Sequence, residues 1–151
     1  MHNEPEAKSY PLPEGPDMGQ AVDSALKASQ AAAQRLGRVM CVITAAAVRD
    51  VLTDRDHDAP FDAEWVEVAV SGDGSLFATG WYWPVSGERT AFADVVDDAA
   101  NEVFDMNEWT PYLDDSNREV WEPISERLPD HRDGRRVWRI NLAAAAALPL
   151  A

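Results

Sequence analysis

Two alternating apolar runs flank an Asp-Gly pair, and no other stretch of this chain narrows its fold as much. Glu64-Trp65-Val66-Glu67-Val68-Ala69-Val70 leads through Ser71-Gly72-Asp73-Gly74-Ser75 into Leu76-Phe77-Ala78-Thr79-Gly80-Trp81-Tyr82-Trp83. Period-two alternation of β-branched and aromatic residues predicts half-buried strands. Asp73-Gly74 suits a type I′ turn, in which both central residues need positive φ. That turn sets a register with Val70 facing Phe77, Val68 facing Thr79 and Val66 facing Trp81 on one buried side. Trp65 and Tyr82 then fall on the opposite side with Glu67, Ala69, Ala78 and Gly80. If no helix covers that side, Trp65 and Tyr82 form an aromatic patch, with Trp109 or Tyr112 nearby. Pro84 ends the second strand.

Helical periodicity precedes the hairpin. Val22, Leu26, Ser29, Ala33, Leu36, Met40, Ile43 and Ala47 recur at alternating steps of three and four, which places them on one helix face. Gly37 leaves two readings: one long helix, or a first helix ending there with 38–44 as a β-branched strand before a second helix to about Leu52. After the hairpin, Phe92, Val95, Ala99, Val103 and Met106 predict an amphipathic helix over Thr90–Asn107. A short edge strand is expected at Glu119–Ile124, with Pro123 at its end, then a polar loop over Ser125–Gly134. A half-buried strand over Arg135–Leu142 follows. The expected class is α+β: an antiparallel sheet of about four strands in two hairpin-like pairs, two or three helices on one face, order α(α)ββαββ. Prolines 5, 11, 13 and 16 make residues 1–16 a disordered leader. Residues 17–142 form the domain, and 143–151 a short Ala-rich tail.

Charge restricts the partners. The chain carries 27 acidic against 13 basic side chains, a net charge of -14, and such a surface repels nucleic acid and anionic membranes while attracting basic proteins. Direct nucleic-acid binding and membrane association are therefore not expected. The same acidity also arises from GC-rich codon usage or a high-salt cytoplasm. The single cysteine, Cys41, lies in the apolar run Val39–Ile43 and reads as a buried hydrophobe in a reducing cytoplasm. No signal-peptide pattern or membrane-span-length apolar run is present.

Catalytic motifs are sparse. Asp54, Asp56 and Asp58 have the alternate spacing of the first ligands of a calcium loop. However, Ala59 stands where the sharp turn needs Gly, and Trp65 where a bidentate Glu would close the site. They remain a weak metal candidate within a solvated loop, and they underlie one alternative, a small metal-dependent enzyme. No cofactor motif and no nucleophile-base arrangement is found, so the chain reads as a binder rather than an enzyme.

The acidic stretch after the hairpin is the sharpest interaction candidate. On a continuous helix Asp94, Asp98, Asp105 and Glu108 form a narrow stripe beside Asp97 and Glu102. At 1.5 Å rise per residue its steps are roughly 5–6 Å, near the phosphate spacing of a nucleic-acid strand. Trp109 and Tyr112 supply apolar anchors, and Asp114 and Asp115 extend the charge. In this the chain resembles small acidic inhibitors and immunity proteins as a class. The expected role is an acidic protein-binding module, an inhibitor or nucleic-acid mimic that blocks a basic, nucleic-acid-binding partner. The alternative is a secretion or assembly chaperone holding an apolar client on the Trp65–Tyr82 face. A homodimer is compatible with either.

Overall fold

The computed structural model describes residues 9–151; of the leader expected at 1–16, residues 1–8 lie outside the described residues. Helix α1 spans Gly15–Thr53, 39 residues without a break. Pro16 sits in its first turn, where a missing N–H costs nothing. Asp54 ends it in a left-handed conformation, φ 51°, its N–H donating to Asp50 O. Residues 38–44 are therefore helical. Their β-branched side chains favour a strand only weakly, and burial decides: Met40, Cys41, Thr44, Val48 and Val51 line one helix face and are all buried. Cys41 is fully buried and its thiol pKa is pushed up to about 12 by burial, so it stays protonated and inert.

Gly37 sits inside the helix for a reason that sequence does not reveal. A Cβ there would lie 2.8 Å from Asn117 Cβ. Asn117 is itself buried and locked, its Nδ2 donating to Tyr112 O (2.9 Å) and its Oδ1 accepting from Asp114 N (3.0 Å). Gly→Ala in a helix ordinarily stabilises by about 1 kcal/mol. Here Gly37→Ala is expected to destabilise by about 1–3 kcal/mol through overpacking. Chemical denaturation reads the sign, and a stabilised variant would show that α1 and the Asn117 turn do not touch as described.

Strands β1 (Trp65–Val70), β2 (Leu76–Trp83), β3 (Thr90–Ala91), β4 (Ser125–Leu128) and β5 (Val137–Asn141) form one antiparallel sheet in the order β3-β2-β1-β5-β4. The class is α+β as expected, with five strands rather than four. β1 lies in the centre, where Val66 and Val68 are fully buried. The hairpin register differs from expectation in two places. Near the turn Val70 pairs with Leu76, Ala69 with Phe77 and Val68 with Ala78. Within the turn only Gly74 has positive φ, +87°, so a type I′ turn does not form. Instead Asp73 accepts from Ser75 N (3.0 Å) and from both serine hydroxyls, closing a wider loop. Those hydroxyls, Ser71 first, lower the Asp73 pKa to about 2. Further along, Gly80 adopts φ +98° and a bulge shifts the register, so that Val66 faces Tyr82 and Trp65 faces Trp83.

The register at the turn, with Val70 opposite Leu76, reverses the expected sides of Trp81 and Tyr82: Leu76, Ala78 and Tyr82 share the buried side with Val66 and Val68, and the bulge, which adds two residues of β2, leaves that alternation intact. Tyr82 joins the core with Val66, Val68, Trp138 and Ile140, stacked on Phe92 with ring centroids 4.6 Å apart. The proposed Trp65–Tyr82 patch does not exist, because the two side chains lie on opposite sides of the sheet.

The segment after β2 also departs from its periodicity. In place of one helix over 90–107 come β3, a 3-10 turn at Phe92–Asp94 and helix α2 (Ala99–Met106). Burying Phe92 on Tyr82 pulls the chain into the sheet edge, and Asp98 breaks the path with φ +57°. The strand expected at Glu119–Ile124 is the short helix α3 (Arg118–Trp121), and β4 begins only at Ser125. A capping box, with Asp114 and Asn117 exchanging side-chain and backbone hydrogen bonds, starts that turn. An Arg118–Glu122 pair at 2.7 Å braces it. Helix α4 (Leu142–Ala146) packs on α1 with Leu142 and Ala145 buried. Arg38 then reaches the carbonyls of Pro149 (3.1 Å) and Ala151 (3.0 Å).

Candidate interaction surface

The acidic residues singled out from sequence are carried by one stretch of chain, the α2 strip, that runs from the Phe92 turn through α2 to the Asp115 turn, without the single helix that would space them regularly. Asp94, Asp97, Asp98, Asp105 and Glu108 are all exposed. The only ion pair that any of these five makes among the described residues is a 4.0 Å contact from Asp105 to Arg55. Asp98 also accepts from Asn101 Nδ2 at 2.7 Å. Asp115 lies 3.7 Å from Arg118. Asp114 is different: its carboxylate accepts from Ser116 N (2.9 Å) as a helix cap and is half-buried, so it shapes the strip more than it presents charge.

Large apolar side chains stand exposed in the same strip. Trp109 and Tyr112 do so as expected, and Val95 and Phe104 join them, Phe104 at 73 % relative exposure. α2 explains Phe104: Ala99, Val103 and Met106 turn toward the core, which leaves the neighbouring position to face out. Periodicity over 90–107 marked Val95 as core, yet it is exposed because the Phe92 turn is not a continuation of α2.

A cleft of about 580 Å³ opens between the end of α1 and the start of α2. Asp54, Asp97, Asp98 and Glu102 line it, over Val51 and Val96. Asp54 thus enters the site from the far end of the sequence, a juxtaposition that no local pattern announces. It does so apart from the suspected metal loop. Asp56 accepts from Asp58 N (3.1 Å) within the turn, and among the described residues no group of three His, Cys, Asp or Glu side chains is placed to hold a metal ion. The Asp54, Asp56, Asp58 candidate is corrected accordingly: the turn engages Asp56 with its own backbone, and Asp54 lines the cleft instead.

The positive side chains gather elsewhere. Arg127, opposite Trp138 in β4, lies on the core side and pairs with Asp130 (2.5 Å), whereas Arg89, Arg135 and Arg139 sit on the side of the sheet away from α1, paired with Glu67 (2.7 Å), Asp133 (3.2 Å) and Glu126 (2.5 Å) respectively. Their guanidinium groups also cover the tryptophans of that side. Arg89 lies 3.8 Å from the Trp81 ring centre, and Arg139 lies 4.3 Å from Trp65 and 5.1 Å from Trp83. The aromatic set that sequence reasoning missed is therefore Trp65, Trp81 and Trp83, and Leu76 was the signal that would have found it: with Leu76 buried, unbroken alternation along β2 puts Trp81 and Trp83 on the opposite side. Plated by arginine, these rings offer little bare apolar area to a client segment.

Among the described residues Asp94, Asp97, Asp98 and Glu108 thus make no ion pair, whereas Arg89, Arg135 and Arg139 on the open side of the sheet are each neutralised by a carboxylate. No helix among the described residues is long and apolar enough to cross a membrane. No family model, curated protein or solved structure matches the chain.

Proposed function

We propose that this protein is an acidic protein-binding module whose α2 strip and adjoining cleft receive arginine and lysine side chains of a basic partner. A partner that itself binds nucleic acid fits best, because its groove is built to accept a run of negative charge. The carrying observation is the cleft in which Asp54, Asp97, Asp98 and Glu102 face one another over an apolar floor. The rings of Phe104, Trp109 and Tyr112 stand exposed on the chain that follows the cleft's α2 wall. Apolar anchors ringed by unpaired charge are the arrangement of an interface core and rim. The broken helix removes the regular phosphate-like spacing, so recognition rests on charge and anchors rather than on mimicry of a backbone repeat.

The test uses a fluorescently labelled arginine-rich peptide as probe, read by anisotropy at low and high salt. Binding is expected to weaken steeply with salt. Asp97→Lys with Asp105→Lys is expected to raise Kd by at least about 10-fold, since each rim charge contributes on the order of 1 kcal/mol. Asp98 is left intact because its φ of +57° suits Asp better than Lys. Glu88→Lys with Glu14→Lys makes the same net change at exposed sites outside the strip and the cleft. Equal loss from both pairs would mean that only total charge matters, and the assigned surface would be wrong.

A further inference from the structure

Helix α1 has two halves in different surroundings. From Gly37 onward it packs on the rest of the protein, whereas every residue from 15 to 32 is exposed. That half is roughly 27 Å of helix at 1.5 Å per residue. The stripe that enters the core at Met40 does not stop where the core ends: Leu36, Leu26, Val22 and Met18 continue it in the open, Leu26 at 63 % and Val22 at 55 % exposure. Ala21, Ala25, Ala28 and Ala32 form a low ridge beside it. A helix of this length is only marginally stable alone in water, and an apolar stripe that faces nothing is the usual mark of a helix–helix contact.

The charge on this segment indicates what covers it. Within residues 15–33 Asp17 and Asp23 precede Lys27, so the segment carries only -1 of the chain's net charge of -14, and Arg35 and Arg38 follow at its end. A strongly basic partner is drawn to the α2 strip, not to this nearly neutral helix. Two copies of the chain repel through their net charge, and this helix adds little to that repulsion. The acid-then-base order also selects a direction: parallel pairing sets Asp23 against Asp23, while antiparallel pairing sets it against Lys27 of the other copy.

We propose that residues 15–33 of α1 pair antiparallel with the same segment of a second copy. Val22 of each then packs on Leu26 of the other, and the small residues Gly19 and Ser29 oppose one another to let the backbones approach. This orientation also carries the two acidic bodies to opposite ends of the pair. The contact uses a different surface from the α2 strip, so either can fail without the other.

Sedimentation equilibrium of the full chain reads the stoichiometry, and a dimer is expected. Val22→Asp with Leu26→Asp is expected to weaken it by at least about 100-fold, since two buried aliphatic side chains are lost per copy. Asp23→Lys should weaken the dimer, and adding Lys27→Asp should restore it. Direction is read by disulfide capture. A mixture of Val22→Cys and Leu26→Cys chains should cross-link mainly as the mixed pair, with buried Cys41 silent. Like-with-like cross-links would indicate parallel pairing and overturn the proposal. So would a chain that sediments as a monomer at every concentration, or a dimer indifferent to Val22 and Leu26. All substituted positions lie on the exposed half of α1, so an unchanged near-ultraviolet spectrum verifies that the body remains folded.

Discussion

Trp121→Ala should lower the unfolding free energy by about 3–5 kcal/mol, the range for truncating a large buried aromatic. At this chain length that is a fall in Tm of roughly 10 °C. Trp121 is 2 % exposed and meets Trp138 edge-on, with ring centroids 5.4 Å apart at 85°. Its Nε1–H donates to Asp114 O at 2.9 Å. That bond anchors the turn which carries Asp114 and Asp115, so the substitution acts on the interaction surface as well as on the core. Trp121→Phe separates the two contributions. It keeps most of the ring contact, loses the hydrogen bond, and should cost about 1–2 kcal/mol. Thermal melts of both variants check the ordering. A Trp121→Ala variant that melts within a degree or two of the parent would be incompatible with the packing of α3 against the sheet.

Arg89→Ala should have the second-largest effect, and one that depends on pH. Glu67 is a carboxylate in the central strand with only 6 % of its side chain exposed. Burial is the largest single influence on it and pushes its pKa up. The hydrogen bonds from Arg89 (2.7 and 2.9 Å) and Thr79 (2.7 Å), with the Arg89 charge, outweigh that and hold the pKa below the ordinary Glu value. Because the folded pKa is depressed, the stabilisation is present above the unfolded value of about 4.3 and is lost as pH falls through the folded pKa. Removing Arg89 leaves burial dominant and reverses the sign, so that folding then favours the protonated acid. The expected cost at pH 7 is about 2–3 kcal/mol, below that of a fully buried pair because Arg89 is 41 % exposed and screened by solvent. Acidifying toward pH 4 should narrow the gap between variant and parent. Denaturant titrations at the two pH values measure it, and a gap independent of pH would mean that Glu67 is not the group Arg89 serves. Trp81 should report the same event by fluorescence, since Arg89 lies over its ring.

The two proposals divide the molecule's surface between them. Acidic side chains without partners gather where α1 ends and α2 begins, and that arrangement persists only because the core positions those segments. At the other end of α1, charge is nearly balanced and apolar area is exposed. A module that dimerises through α1 would present two acidic strips at its ends, suited to a partner that is itself repeated or dimeric. Binding to such a partner would gain from effective concentration.

Much of the framework was legible in local pattern. The three-and-four periodicity of Val22–Ala47 led to α1, the alternation in Trp65–Trp83 to the central hairpin, and Trp138, Ile140 and Leu142 to the buried side of the last strand. What misled was local as well. Asp73-Gly74 matches a preferred two-residue turn, but the Ser71 and Ser75 hydroxyls recruit Asp73 into a longer loop. Val120 and Ile124 suggested a strand, but the Asp114–Asn117 cap and the Arg118–Glu122 pair start a helix turn first. The helical spacing of Phe92 and Val95 was real in sequence, yet Phe92 is held by Tyr82 in the sheet edge instead of by a helix.

For the candidate surface, the sequence by itself determined that carboxylates outnumber cations two to one and that most of the strip's acids lie between 94 and 115. Charge and periodicity are properties of neighbouring positions along the chain, so they can be read without a fold. Only the tertiary structure decided that Asp54 faces Asp97 and Glu102 across a cleft, that Arg89 and Arg139 are neutralised on the open side of the sheet, and that half of α1 stands uncovered. Those outcomes depend on contacts between residues far apart in sequence. One residue of register at the turn was enough to exchange the sides of Trp81 and Tyr82, because a strand alternates with every residue and a one-residue slip inverts all that follows.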